Sequence, residues 1–218
     1  MPFTDFVNNN IFHFMTPKVN GLIKIEDDIN KYWIDNFFLS HIMGNRNKGI
    51  EREVVCLKVN IIRLAVETLD NYNELYSLLD DVVKENGSDI RKFYKCINKL
   101  EDTVIHLRHS YWLMHRYIYK DNVKLCAEKG TSLRSLHDIY NRIKHFNEEI
   151  LEGRYNDIMT PIWFNEESIY FRVKHFKADG IDEGISPEEV EEKITFLELY
   201  ELTKELCIFT EKLTSYKI

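Results

Sequence analysis

Two stretches, Ile50 to Val83 and Asp89 to Tyr119, contain no glycine and no proline, and they limit what this chain can become. In the first, Val54, Leu57, Ile61, Leu64, Tyr72, Leu75, Leu79 and Val82 recur at near-heptad spacing. In the second, Ile90, Phe93, Ile97, Leu100, Val104, Leu107, Tyr111, Met114 and Ile118 do the same. Apolar residues every three or four positions fall on one face of a helix and form a seam. Asn86-Gly87-Ser88 ends the first helix and caps the second. So short a turn predicts an antiparallel helical hairpin.

Composition extends that reading. Only 8 glycines and 4 prolines occur in 218 residues, which favours long helices over many short strands. With 44% hydrophobic and 30% charged residues the chain is globular rather than disordered. Its length suits one domain with a substantial core. Residues 1–25 read as an irregular arm that packs by Phe3, Phe6, Phe12 and Phe14, and Glu26 to Met43 reads as a helix. Thr131 to Leu151 is a third amphipathic helix. Thr131 or Ser132 caps it after Gly130, and Gly153 stops it. Between residues 159 and 176, TPIWF and IYFRVKHF flank NEES and read as a small β-hairpin, which must lean on the helices to be stable. Ser186-Pro187-Glu188-Glu189 is a strong helix start, so a last helix is expected over 186–215, burying Val190, Ile194, Leu197, Leu202, Leu206 and Phe209. The expected architecture is mainly α: an antiparallel helical bundle of long helices with one hairpin insertion, as a single domain.

The net charge of −7 argues against a general nucleic-acid coat protein. The charge is uneven, however. From Arg108 to His145, eight Lys/Arg face three acids, so this segment is +5 and the remainder −12. Either it forms a surface that meets a polyanion, or its cations pair with the acidic C-terminal helix. The four cysteines make no metal-ligand or CxxC spacing and read as free thiols of a reducing compartment. No signal peptide and no membrane-length apolar run is evident, so a soluble cytoplasmic protein is expected. His106, His109 and His115 share a helix, but no carboxylate completes a metal set. No phosphate-binding glycine loop or nucleophile elbow occurs. Neither metal nor cofactor is expected.

The third helix carries the densest chemistry. Arg134, Asp138, Asn141 and His145 lie at i, i+4, i+7 and i+11, one stripe roughly opposite the apolar face of Leu136 and Ile143. That stripe should face water or another surface. Asn and His are weaker helix formers than Glu or Lys, so mere solubility does not explain them.

Tyr140-Asn141-Arg142-Ile143-Lys144-His145 resembles the RNxxxH motif of HEPN-type domains, with the Asn and His in place and Tyr140 where the motif has Arg. Arg108 and His115, separated by six residues and followed by Arg116, meet the outer limit of the related Arg-to-His spacing. The resemblance spans roughly residues 26 to 155. It implies a helical bundle, commonly a homodimer, of a kind that often acts as a metal-independent ribonuclease in toxin–antitoxin or antiviral defence modules. On this resemblance His145 is the acid/base, Arg142 or Arg134 the phosphate partner and Asn141 the orienting group. Lys144, Arg108, His115 and Arg116 would contact RNA. Tyr140 in the arginine position implies a displaced arginine or a lost activity. The competing expectation is a non-catalytic interaction protein that uses the same polar face to dock a protein partner.

Overall fold

The computed structural model describes residues 22–25, 51–84, 89–120, 128–152, 160–164, 167–175 and 188–214. The arm up to residue 21, the helix expected over 26–43, most of the 121–130 connection, Gly153 and the 178–184 loop lie outside them. In chain order the elements are α1 (Arg52–Lys84), α2 (Ile90–Tyr119), α3 (Ser132–Leu151), β1 (Trp163–Phe164), β2 (Ser168–His175), β3 (Glu188–Thr195) and α4 (Phe196–Thr214).

The α1–α2 hairpin is the centre of the fold. On α1 the buried line is Ile61, Ala65, Thr68, Tyr72, Leu75, Leu79 and Val82. On α2 it is Phe93, Ile97, Leu100, Val104, Leu107, Tyr111 and Met114. Both advance by alternating steps of four and three, the spacing that keeps one seam facing a neighbouring helix. The outer members of the expected α2 seam, Ile90 and Ile118, are exposed. Thr68, Thr103 and Ser110 are buried without cost because each hydroxyl donates to a carbonyl one turn back. Asp89 rather than Ser88 caps α2, its carboxylate accepting from the Arg91 N–H at 2.9 Å. Lys120, with φ of 55°, ends the helix in the left-handed region. Thr131 caps α3, and Gly130 before it adopts φ of +81°, which an L side chain rarely does. Burial pushes the Cys96 and Cys207 thiols up to about 12, so both behave as small apolar core residues.

The expected hairpin is present, and it has a third strand. β1 pairs antiparallel with β2 (Trp163 opposite Tyr170, Phe164 opposite Ile169), and β2 pairs antiparallel with β3 from Ser168–Thr195 to His175–Glu188. The expected helix over 186–215 is therefore corrected: Glu188–Thr195 is a strand, and the helix starts at Phe196. Alternation explains the difference. Val190 and Ile194 are an even number of residues apart, and in the register they face Val173 and Ile169.

The true start signal is a capping box nine residues later. The Glu198 carboxylate accepts from the Thr195 N–H at 2.8 Å, and the Thr195 hydroxyl accepts from the Glu198 N–H at 3.1 Å. Phe164 stacks on Phe93 of α2 at 5.6 Å and meets Phe196 of α4 edge-on at 6.3 Å. Through these rings the small sheet leans on the bundle. The Tyr111 hydroxyl donates toward the Leu202 carbonyl and the Glu205 carboxylate, tying α4 to α2.

Candidate functional site at the seam of α2 and α3

Leu136, Ile139 and Phe146 bury one face of α3, which fixes how the helix is rotated against α2. That rotation brings the first half of the polar stripe inward. Arg134 and Asp138 form an ion pair at 2.7 Å, with the Asp138 side chain only 10% exposed. Asn141 is half-buried, whereas Lys144 and His145 are exposed. The expected stripe is thus continuous in sequence but split in space.

Arg108 is the decisive residue of the seam. It is 7% exposed, and its Nε–H donates to Nδ1 of His137 at 3.1 Å. The other ring nitrogen of His137, Nε2, lies 3.1 Å from the Asn141 amide. The Arg108 guanidinium sits 5.8 Å from the centre of the Tyr140 ring, and the Tyr140 hydroxyl is 3.1 Å from Nε2 of His109. One residue after Leu107, which faces the core, α2 thus presents a cation and an imidazole to His137 and Tyr140, about one turn apart on α3.

The electrostatics of this group are unusual. Among the described residues no carboxylate pairs with Arg108. Burial lowers the stability of its charged form, and the Tyr140 ring only partly offsets that. His109 and His137 are both held below the ordinary histidine value, by burial first and then by the Arg108 charge. Asp138 pulls His137 in the other direction, and Arg134 pushes it further down. At neutral pH the seam holds one guanidinium among neutral imidazoles, a phenol and an amide.

Of the residues singled out from sequence, Arg108 and Asn141 come together here, joined by His137. His145 and Asn141 do not cooperate as the motif implies: the amide turns to His137, and Nδ1 of His145 meets Glu148 at 2.8 Å. The Arg142 guanidinium lies over the Phe146 ring at 5.2 Å. Arg116 pairs with Glu53 of α1, and the His115 ring packs against Tyr119 at 4.6 Å. The pairs Arg116–Glu53 and Arg134–Asp138 run to α1 and within α3, not to the C-terminal helix. His137 and His109 are the members that sequence reasoning passed over as site residues. The i, i+4 spacing of His137 and Asn141 was the available signal. Among the described residues no group of three or more His, Cys, Asp or Glu is arranged to hold a metal ion, and no helix is long and apolar enough to cross a membrane.

Neither a family model, nor a curated protein, nor a solved structure matches this chain.

Proposed function

We propose that this chain is a HEPN-like, RNA-directed protein and acts as a metal-independent endoribonuclease of a toxin or antiviral defence module. One observation carries the reading: Arg108, from a different helix, lies over Tyr140 and beside the His137–Asn141 pair. The arginine that the motif lacks at 140 is supplied by α2. Chemistry of this kind asks little of a protein. RNA carries its own nucleophile, the 2′-OH. Its oxygen attacks the adjacent phosphorus, a base takes its proton, and the 5′-oxygen leaves with a proton from an acid. A 2′,3′-cyclic phosphate and a 5′-hydroxyl end remain. Arg108 offsets the charge that grows on the phosphate. His145, exposed and reachable, moves the proton, and Asn141 orients the phosphate. Arg142, Arg134, Lys144, His115 and Arg116 follow the strand outside this centre. Pairing two copies of α3 would turn a convex face into a cleft.

The test is cleavage of single-stranded RNA in EDTA by the wild type, Arg108→Ala, His145→Ala and the surface control Arg63→Ala. The expected result is a loss of about 10²-fold or more for Arg108→Ala and for His145→Ala, none for Arg63→Ala, and no cleavage of DNA. No cleavage by the wild type, or full activity in Arg108→Ala, overturns the reading. A second reading, a non-catalytic docking protein, is favoured by Trp112 and Tyr119, which are exposed and seven residues apart on α2. A stable protein partner lost on Trp112→Ala, with RNA left intact, would support it.

A further inference from the structure

We infer that His137 is a positioning residue that turns the Asn141 amide so that Asn141 and Arg108 together form a cradle for a phosphate group. This rests on the reading above for the identity of the polymer that carries the phosphate. Arg108 fixes the protons of the seam. A guanidinium is never deprotonated in a protein, so the Arg108 Nε–H is always a donor. It points at Nδ1 of His137 from 3.1 Å, so Nδ1 must offer its lone pair. A second proton on the ring would set N–H against N–H beside a fixed positive charge. His137 is therefore neutral, with its single hydrogen on Nε2.

That assignment fixes the next group. The structure sets Nδ2 of Asn141 3.1 Å from Nε2 of His137, which opposes two donors once Nε2 carries the hydrogen. The oxygen and nitrogen of an amide have the same outline, and exchanging them puts Oδ1 toward Nε2–H and turns both Nδ2 hydrogens away from His137. His137 has no free lone pair left, so it moves no proton in this arrangement.

What remains unused points to the ligand. The Nη1 and Nη2 groups of Arg108 carry four N–H donors with no hydrogen-bond acceptor among the described residues. They belong to a residue that is 7% exposed and, among the described residues, has no carboxylate to neutralise it. A buried cation in that state is costly unless an anion completes it. The Asn141 Nδ2 hydrogens add neutral donors on the same seam. A planar fork of donors beside an amide matches the tetrahedral oxygens of phosphate. Asp138, whose charge reaches His137, is held by Arg134.

The probe is inorganic phosphate, titrated into the full chain and followed by the ring-nitrogen resonances of the histidines and by calorimetry. The expected wild-type signature is an unprotonated Nδ1 and a protonated Nε2 on His137, with saturable phosphate binding. Arg108→Ala should weaken binding about tenfold or more and release the tautomer, whereas Asn141→Ala should weaken it severalfold and keep the tautomer. His137→Phe, which keeps the ring and removes the lock, should weaken phosphate without touching it directly. A wild-type His137 with its proton on Nδ1 overturns the proposal, and so does phosphate binding unchanged in Asn141→Ala. A short RNA that displaces the phosphate identifies the polymer. Phosphate bound with no RNA cleaved leaves the cradle standing and removes the nuclease. RNA cleaved with no phosphate bound at this seam does the reverse.

Discussion

Helix α2 carries two lysine- or arginine-based sites that meet opposite fates. Lys99, on its α1 side, is 28% exposed and sits 2.9 Å from the Glu74 carboxylate and 3.1 Å from Oδ1 of Asn71. Its charge is held above the ordinary lysine value, chiefly by the Glu74 bond. Asn71 in turn passes its amide hydrogen to Nδ1 of His106, so every member of that chain has a partner. Arg108, nine residues on and deeper, meets only neutral groups among the described residues. One seam closes its electrostatics within the chain and the other leaves a positive charge open. The first is what a fold needs. The second is what a binding site needs, because stability is spent there without an internal return.

The largest expected effect tests the closed seam. Leu100 is fully buried at the centre of the α1–α2 packing, and Leu100→Ala should cost about 2–5 kcal/mol. Urea denaturation would measure it as a lower midpoint. A cost below about 1 kcal/mol would mean that the heptad seam is not the organising core.

A smaller and opposite pair of effects sharpens the comparison itself. Arg108→Met removes an uncompensated buried charge and keeps most of the volume, so stability should hold or rise by about 1 kcal/mol. Lys99→Met breaks a partly exposed pair and should lower stability by up to about 1 kcal/mol. The same denaturation curves decide it. If Arg108→Met were the more damaging of the two, the open-charge description of the α2–α3 seam would fail.

Much of the fold could be read in advance because helical periodicity over thirty residues is a strong local signal. The α1 and α2 seams follow directly from Ile61 to Val82 and from Phe93 to Met114. The strand at Glu188–Thr195 was hidden because Ser186-Pro187-Glu188-Glu189 carries helix-start chemistry, while the Thr195–Glu198 capping box lay inside the stretch assigned to that helix. Local propensity yielded there to pairing with β2, which a short alternation does not announce. At the candidate site, Asn141 and Arg108 stood out by residue type and spacing. Their junction did not, because Arg108 and His137 are 29 residues apart and meet only once α3 is rotated by Leu136 and Ile139.

The smallest expected effect is the acid response of the two seams. His109 and His137 are depressed, so below about pH 6.5 the unfolded chain takes up protons that the folded chain refuses. Their neutral packing is intact above that value, and stability falls as the pH drops toward their lower folded values. Glu101 opposes this. Burial, with Asp102 adding to it, pushes its carboxyl up to about 7, so protonation relieves the folded state as pH falls from there toward about 4.5. Glu101→Gln should therefore raise stability at pH 8 and expose a steeper loss between pH 6.5 and 5. Adding Arg108→Met should flatten that loss, because the second cause of the histidine depression is gone. Melting temperatures across pH 5–8 for the three proteins would show it, and an unchanged slope in the double variant would count against Arg108 as the source.

One carboxylate ties these matters together over a long reach. Besides closing the capping box of α4, Glu198 accepts from the Ser132 hydroxyl at 2.8 Å, on the first turn of α3. Two helix beginnings, 66 residues apart, thereby share a single anchor. The axial setting of α3, and with it the alignment of His137 and Asn141 against Arg108, is indexed from the strand end of the molecule.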